Sequence, residues 1–252
     1  MIPFRHALVT GGGSGVGRAI ALSLAEVGVD VTICGRREEP LAAVAGENAR
    51  IFPLAADVTD EHAMAALYER AEAARGPFGI VVANAGMAGS APAAKTTLAD
   101  WHACLNVNLT GSFLTVKPAL AGMAARKEGR IVFIASTAGL KGYAYVAPYV
   151  AAKHGMVGLM RALATELAST GVTVNAVCPG FVETELLEES VRRIVHKTGR
   201  SQEDARESLR SVNPQGRFIR PDEVAATVLW LCSDAAGSIT GQAISVSGGE
   251  TW

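Results

Sequence analysis

The sequence predicts one α/β domain with about seven parallel strands wound in both directions and helices on both faces. Two observations carry this. Short apolar strand candidates alternate with longer helical patterns, which demands a parallel sheet closed by right-handed crossovers. The strand candidates are near-continuous apolar runs, as expected where both faces of a sheet are covered. No repeat, low-complexity tract or linker divides the chain, so residues 1–252 read as a single domain.

The elements follow in order. "ALVT" (7–10) is the first strand, and a helix runs from about Gly15 to Val27. "DVTICG" (30–35) precedes a weaker helix. "ARIFPLAAD" (49–57) leads into "EHAMAALYERAEAA" (61–74), whose apolar face recurs at helical spacing. "GIVVANAG" (79–86) is followed by a long helical region that includes Trp101 to Arg126. "GRIVFIAS" (129–136), a helix beginning near Pro148 and "GVTVNAVCPG" (171–180) continue the pattern. Residues 183–213 interrupt it. "PDEVAATVLWLCS" (221–233) is an amphipathic helix opened by proline and acids, and "QAISV" (242–246) is the last strand.

Composition excludes several functions. Hydrophobic residues at 49% against 19% charged are ample for a large core. A net charge of −1 supplies no basic field to recruit nucleic acid or an anionic membrane. Cys34, Cys104, Cys178 and Cys232 are scattered, which fits buried thiols in a reducing cytoplasm. The five histidines show no ligand spacing, so no metal site is assigned. The apolar stretch at the start is too short for a signal peptide, and no apolar run approaches a membrane span. The "NLT" at Asn108 matches a glycosylation acceptor but means little without a secretory signal.

In such sheets ligands bind beyond the carboxyl ends of the strands, where "TGGGSGVG", "ANAG" and "AST" fall. "TGGGSGVG" (10–17) fails the G-x-G-x-x-G pattern, since Gly11 and Gly13 fit but the last position is Val16. Its spacing is Thr-Gly-x-x-x-Gly-x-Gly, carried by Thr10, Gly11, Gly15 and Gly17, with Ser14 inside the turn. Glycines admit a pyrophosphate to the backbone, and a helix N-terminus offers free N–H groups and a positive dipole end. The end of the second strand should meet an adenosine ribose. Arg36 and Arg37 stand there instead of a carboxylate, which suits a 2′-phosphate and favours NADP over NAD. The alternative is that both arginines pair with Glu38 and Glu39. Asp57 is placed to accept from the adenine amino group, or else to cap the next helix.

"TGGGSGVG", "ADV" with Asp57 and Val58, "ANAG", "NVNLTG", "IASTAG", "YVAAK" and "CPGFVET" together resemble the short-chain dehydrogenase/reductase family, over nearly the whole chain. The resemblance implies a Rossmann-like oxidoreductase passing hydride between nicotinamide and a carbonyl or secondary alcohol. Tyr149 and Lys153 lie one helical turn apart on one face. A nearby ammonium, together with the positive nicotinamide of the oxidised complex, is expected to lower the phenol from about 10, making Tyr149 the general acid in reduction and general base in oxidation. By resemblance, Lys153 also holds the nicotinamide ribose, Ser136 hydrogen-bonds the reacting oxygen, and Asn108 anchors a proton-relay water. Taken singly, Ser136 could cap its strand, Asn108 be a buried polar group of a helix and Tyr149 a packing residue. Asn84, Ala85 and Gly86 would line the adenosine and ribose side, and Pro179, Gly180, Val182 and Thr184 the nicotinamide. Ala83 and Ser247 depart from the family's usual asparagine and aspartate, and Gly35 only from its NAD-preferring variant.

The resemblance also makes residues 183–213 a lid over the substrate. It begins acidic (Glu183, Glu185, Glu188, Glu189) and turns basic (Arg192, Arg193, His196, Lys197, Arg200). It could meet coenzyme A phosphates or an acidic acyl carrier protein, or be a solvated helix with paired charges. Likeness to ketoacyl reductases points to a 3-oxoacyl thioester. Polyols, sugars, steroids and cyclic ketones stay open, as do oxidation by a 3-hydroxyacyl-CoA dehydrogenase and a non-catalytic NAD(P) sensor. A homotetramer is expected from the family.

Overall fold

A computed structural model describes all residues, 1–252. Seven strands form one sheet: β1 (His6–Thr10), β2 (Asp30–Gly35), β3 (Ile51–Ala55), β4 (Ile80–Ala83), β5 (Gly129–Ile134), β6 (Val172–Pro179) and β7 (Ala243–Val246). Every pairing is parallel and the order is β3-β2-β1-β4-β5-β6-β7. From β1 the chain winds outward through β2 to β3, then crosses back to β4 on the other side. That reversal opens a crevice at the carboxyl ends of β1 and β4.

Alternate residues of each strand feed two cores. Leu8 and Val81 face one side, where Met64 and Leu67 of α3 (Glu61–Arg75), Met123 of α5 (Gly111–Arg126) and Met156 of α6 (Ala147–Leu167) pack. Val9 and Val82 face the other, against Ile20 of α1 (Gly15–Glu26), Leu41 of α2 (Glu38–Ala45) and Val228 of α9 (Pro221–Cys232). This two-sided burial is why the strands read as unbroken apolar runs.

Three details depart from the sequence reading. The third strand is shorter than 49–57 because it is an edge, with Pro53 and Ala55 exposed; proline is tolerated there since one side of an edge makes no ladder. The long helical region is broken: α4 (Leu98–Leu105) passes through a π-helical turn, Asn106–Thr110, into α5. Residues 183–213 hold two helices, α7 (Glu185–Thr198) and α8 (Gln202–Arg210), around a small core of Leu187, Val191, Ala205 and Phe218. No helix is long and apolar enough to cross a membrane.

Candidate active site

The turn after β1 is shaped by close approach. Gly11 and Gly15 have φ of 66° and 53°, a left-handed backbone that glycine adopts without penalty. A Cβ on Gly17 would sit 2.3 Å from the Gly11 carbonyl oxygen and 2.5 Å from Asn84 Nδ2. Asn84 Nδ2 donates to the Thr10 carbonyl at 2.8 Å, while Thr10 Oγ1 accepts the N–H groups of Asn84 (3.0 Å) and Ala85 (3.1 Å). Strand ends β1 and β4 are thereby locked together. Ser14, the N-cap of α1, makes no side-chain capping bond, and the first turn carries no acid. The helix start therefore keeps its donors and its positive end for an outside anion, so the cradle fits a dinucleotide pyrophosphate.

A cavity of about 700 Å³ opens from this turn. Gly11, Ser14, Gly15, Val16, Gly17, Asn84, Ala85 and Gly86 line it, with Asn108, Ser136, Tyr149, Lys153, Pro179, Gly180, Val182 and Thr184. Gly13, Arg36, Arg37, Asp57 and Val58 lie outside its walls. A Cβ on Gly13 would come within 3.2 Å of Pro40 Cβ, so that glycine serves the packing of α2. Val58 is buried, and a Cβ on Gly111 would meet it at 2.8 Å. Arg36 and Arg37 are exposed and join no ion pair, the neighbouring ones being Arg18–Glu47 and Arg50–Asp30, so the pairing with Glu38 and Glu39 does not form. Asp57 accepts from Thr59 N (2.9 Å) and Thr59 Oγ1 (2.8 Å); those bonds hold its carboxyl below the usual range, with the charge of Arg36 adding least. Asp60, not Asp57, caps α3, accepting from His62 N and Ala63 N.

The four candidate catalytic residues meet in the cavity. Ser136 follows β5, and its Oγ accepts from Ala138 N at 3.1 Å. Tyr149 and Lys153 occupy the first turns of α6, with Lys153 Nζ 5.6 Å from the centre of the Tyr149 ring. Lys153 is 3% exposed and donates to the Ile134 carbonyl at 2.8 Å. Asn108 stands in the π-helical turn, fully buried, with Nδ2 donating to the carbonyls of Met87 (2.8 Å) and Cys104 (2.9 Å). The backbone of Gly86 runs between Asn108 and Lys153: a Cβ there would lie 2.8 Å from Asn108 Oδ1 and 3.8 Å from Lys153 Nζ.

In the protein without cofactor the lysine alone does not bring the expected lowering: the phenol of Tyr149 is pushed up to about 12, because burial outweighs the hydrogen bond from Ser136. Burial also brings Lys153 down to about 8. Burial thus disfavours the charged form of both groups; at neutral pH Tyr149 stays a neutral phenol while Lys153 still keeps its charge.

Two features were not read from the sequence. The C-terminal turn carries Glu250 inward, its side chain 1% exposed, where it accepts from the Tyr143 hydroxyl and pairs with Lys141 at 3.0 Å. Tyr143 also bonds Thr137 Oγ1 at 2.6 Å, and its ring stands edge-on to Phe181, 6.4 Å between centres. Burial and Glu250 push the Tyr143 phenol up, so it stays neutral. No local pattern signals this contact, since Tyr143 and Glu250 are 107 residues apart. The second feature is the cavity mouth. Arg193 Nη1 donates to the Ala88 carbonyl (2.9 Å), Lys197 Nζ to the Ser90 carbonyl (2.6 Å), and Ala91 N to the Tyr145 carbonyl (2.8 Å). Lid charges also pair among themselves: Arg206 with Glu188, and the second amino group of Arg193 with Glu189.

A family model described as short chain dehydrogenase matches residues 5–194. The chain is 42% identical over 249 residues to a protein of Streptomyces violaceoruber that carries the name of a ketoacyl reductase of the granaticin polyketide synthase, covering 96% of this chain and 92% of that one. An acetoacetyl-CoA reductase of Shinella zoogloeoides is 38% identical over 246 residues, with 98% of each chain covered. Among solved structures, a variant of actinorhodin polyketide ketoreductase crystallised with NADPH superposes with a TM-score of 0.95 at 38% identity, over 99% of this chain and 98% of that one.

Proposed function

The chain belongs to the short-chain dehydrogenase family, and from that premise we propose that it reduces a 3-oxoacyl thioester with NADPH, Tyr149 supplying the proton. The observation that carries this is the convergence of Ser136, Tyr149, Lys153 and Asn108 in the same cavity as the phosphate cradle. NADPH, when bound, supplies the hydride, as nicotinamide cofactors do. Everything else falls to side chains. Ser136 Oγ orients the substrate carbonyl oxygen. The phenol of Tyr149, protonated at neutral pH, gives that oxygen its proton as charge develops on it. Lys153 holds the ribose and assists the phenol, and Asn108 anchors the water that returns a proton.

The cofactor choice is supported by Arg36 and Arg37, exposed, unpaired and free to take a 2′-phosphate where β2 ends without a carboxylate. The thioester is supported by the named activities of the relatives, acetoacetyl-CoA reductase among them. A homotetramer belongs to the same reading, supported by the family resemblance and by the exposed side chains of Phe113, Trp230 and Trp252; light scattering checks it.

The test is oxidation of NADPH against NADH with acetoacetyl-CoA, alongside Tyr149→Phe. We expect NADPH to be preferred and the variant to lose about 10²-fold or more, the usual contribution of a positioned acid. Preference for NADH refutes the reading of the arginines and leaves the chemistry intact. Full activity in Tyr149→Phe refutes the role of the tyrosine. A relative named D-beta-hydroxybutyrate dehydrogenase, 37% identical, makes NAD-linked oxidation of a 3-hydroxy acid the second reading to assay.

A further inference from the structure

Two non-glycine residues have positive φ, Lys127 at 57° and Tyr145 at 67°. Lys127 has an ordinary reason, since it ends α5 as a left-handed cap. Tyr145 ends no helix, and a bulky side chain in that region is an outlier. Backbone outliers of this kind persist where surrounding structure holds them, and they gather at ligand clamps.

What holds this one is visible. The Tyr145 carbonyl accepts from Ala91 N at 2.8 Å, and the segment carrying Ala91 is itself tied to the lid through Arg193 on Ala88 and Lys197 on Ser90. The side chain, by contrast, makes no hydrogen bond and pairs with no aromatic ring. Tyr145 is 65% exposed, yet it lines the mouth of the cavity. A glycine would take the same backbone without strain and give up a side chain that is mostly exposed. The aromatic side chain is therefore not explained by stability.

Resting on the thioester reading above, we propose that Tyr145 is a specificity-determining residue, its ring packing on the phosphopantetheine arm that trails out of the cavity behind the reacting carbonyl. The catalytic hydroxyl belongs to Tyr149 deeper in the same cavity, so a substrate seated there must leave past the mouth. The arm is a run of methylenes and amides, which suits an aromatic face, and the positive charges of Arg193, which lines the same cavity, and of Lys197 near it are available to its anionic end. Coenzyme A and an acyl carrier protein present the same arm.

The test compares wild type, Tyr145→Gly and Tyr145→Phe on three substrates: acetoacetyl-CoA, acetoacetyl carrier protein and the truncated S-acetoacetyl-N-acetylcysteamine. For the two full-arm substrates, Tyr145→Gly should raise KM about three- to tenfold, the worth of one aromatic contact, with kcat within about twofold. The truncated thioester should show no change, Tyr145→Phe should behave as wild type, and the glycine variant should melt no lower than wild type. A rise with only one full-arm substrate assigns the ring to that source. Equal KM for wild type and glycine variant on both full-arm substrates overturns the inference alone. So does an equal rise on all three substrates, or a lower Tm with a parallel loss of kcat. Wild-type failure on every thioester, with other ketones reduced, sinks the functional reading and this inference with it.

Discussion

Replacing Lys153 by methionine should abolish turnover while changing how stability depends on pH. The ammonium is 3% exposed, and burial brings it from the ordinary 10.5 down to about 8. At ~1.36 kcal/mol per pH unit, that difference is on the order of 3 kcal/mol that the folded state forgoes to keep the charge at neutral pH. Below pH 8 both folded and unfolded chains hold the proton and this cost is constant. Between about 8 and 10.5 the folded chain has released it while the unfolded chain has not, so wild-type stability rises with pH through this group. Methionine has no such term. At neutral pH the variant is relieved of the buried charge but leaves the Ile134 carbonyl without its donor, a loss of about 1–3 kcal/mol, so the two nearly offset there. The diagnostic quantity is the difference between the proteins. From pH 8 to 9.5 wild type should gain about 2 kcal/mol on the variant. Urea unfolding at pH 7, 8, 8.75 and 9.5, without cofactor, measures it. A difference that stays flat across this range would refute the claim that Lys153 is a desolvated ammonium held at a cost to stability.

Two further predictions concern the frame of the site. Gly17→Ala places its methyl 2.3 Å from a backbone oxygen that cannot yield without moving the cradle, whereas Gly13→Ala meets Pro40 Cβ at 3.2 Å and the Leu41 backbone nitrogen at 3.4 Å, at the edge of ordinary contact. The first should lose about 1–3 kcal/mol and cofactor affinity, the second far less; thermal melts and cofactor titration by fluorescence distinguish them, and equal effects would mean the turn is not held by this contact. Tyr143→Phe removes the hydroxyl joining Thr137 to Glu250 and should lower stability by about 1–3 kcal/mol, read as a drop in the urea midpoint, with cofactor affinity unchanged. An unshifted midpoint would show that the C-terminal turn is held by other contacts.

The alternation of β1 to β7 with their helices was legible because double-sided burial leaves an apolar signature at each strand. Where burial is one-sided the signature thins, and β3 proved shorter than its apolar stretch. The glycine spacing of the cradle and the Tyr149–Lys153 pair were legible because each depends on short spacing along one element, whereas Ser136 and Asn108 stand on other elements and were named only through the family resemblance. The π-helical turn at Asn108 was not, since it shifts the apolar register by a single residue between two stretches that each still read as helix. The upward shift of Tyr149 in the protein without cofactor was not legible for a different reason. Sequence shows the charge four residues away but not the burial, and the lysine spends its hydrogen bond on Ile134. Glu250 and Tyr145 lay beyond reach because one depends on a contact across the chain and the other on a backbone angle.

The helices over the cavity pack around Leu187, Val191, Ala205 and Phe218, a cluster separate from the two cores of the sheet. Such a cap is a module in the engineering sense. Its outward face and inner wall are free to vary so long as those four positions stay apolar, because no strand depends on them for burial. Its coupling to the rest is thin, with an isolated backbone bridge between Val182 and Ile219 at its root and the two cation-to-carbonyl ties at its tip. Cavity shape in a chain built this way is therefore separable in part from the residues at the strand ends: exchanging residues 185–210 alters one wall while Ser136, Tyr149 and Lys153 keep their places.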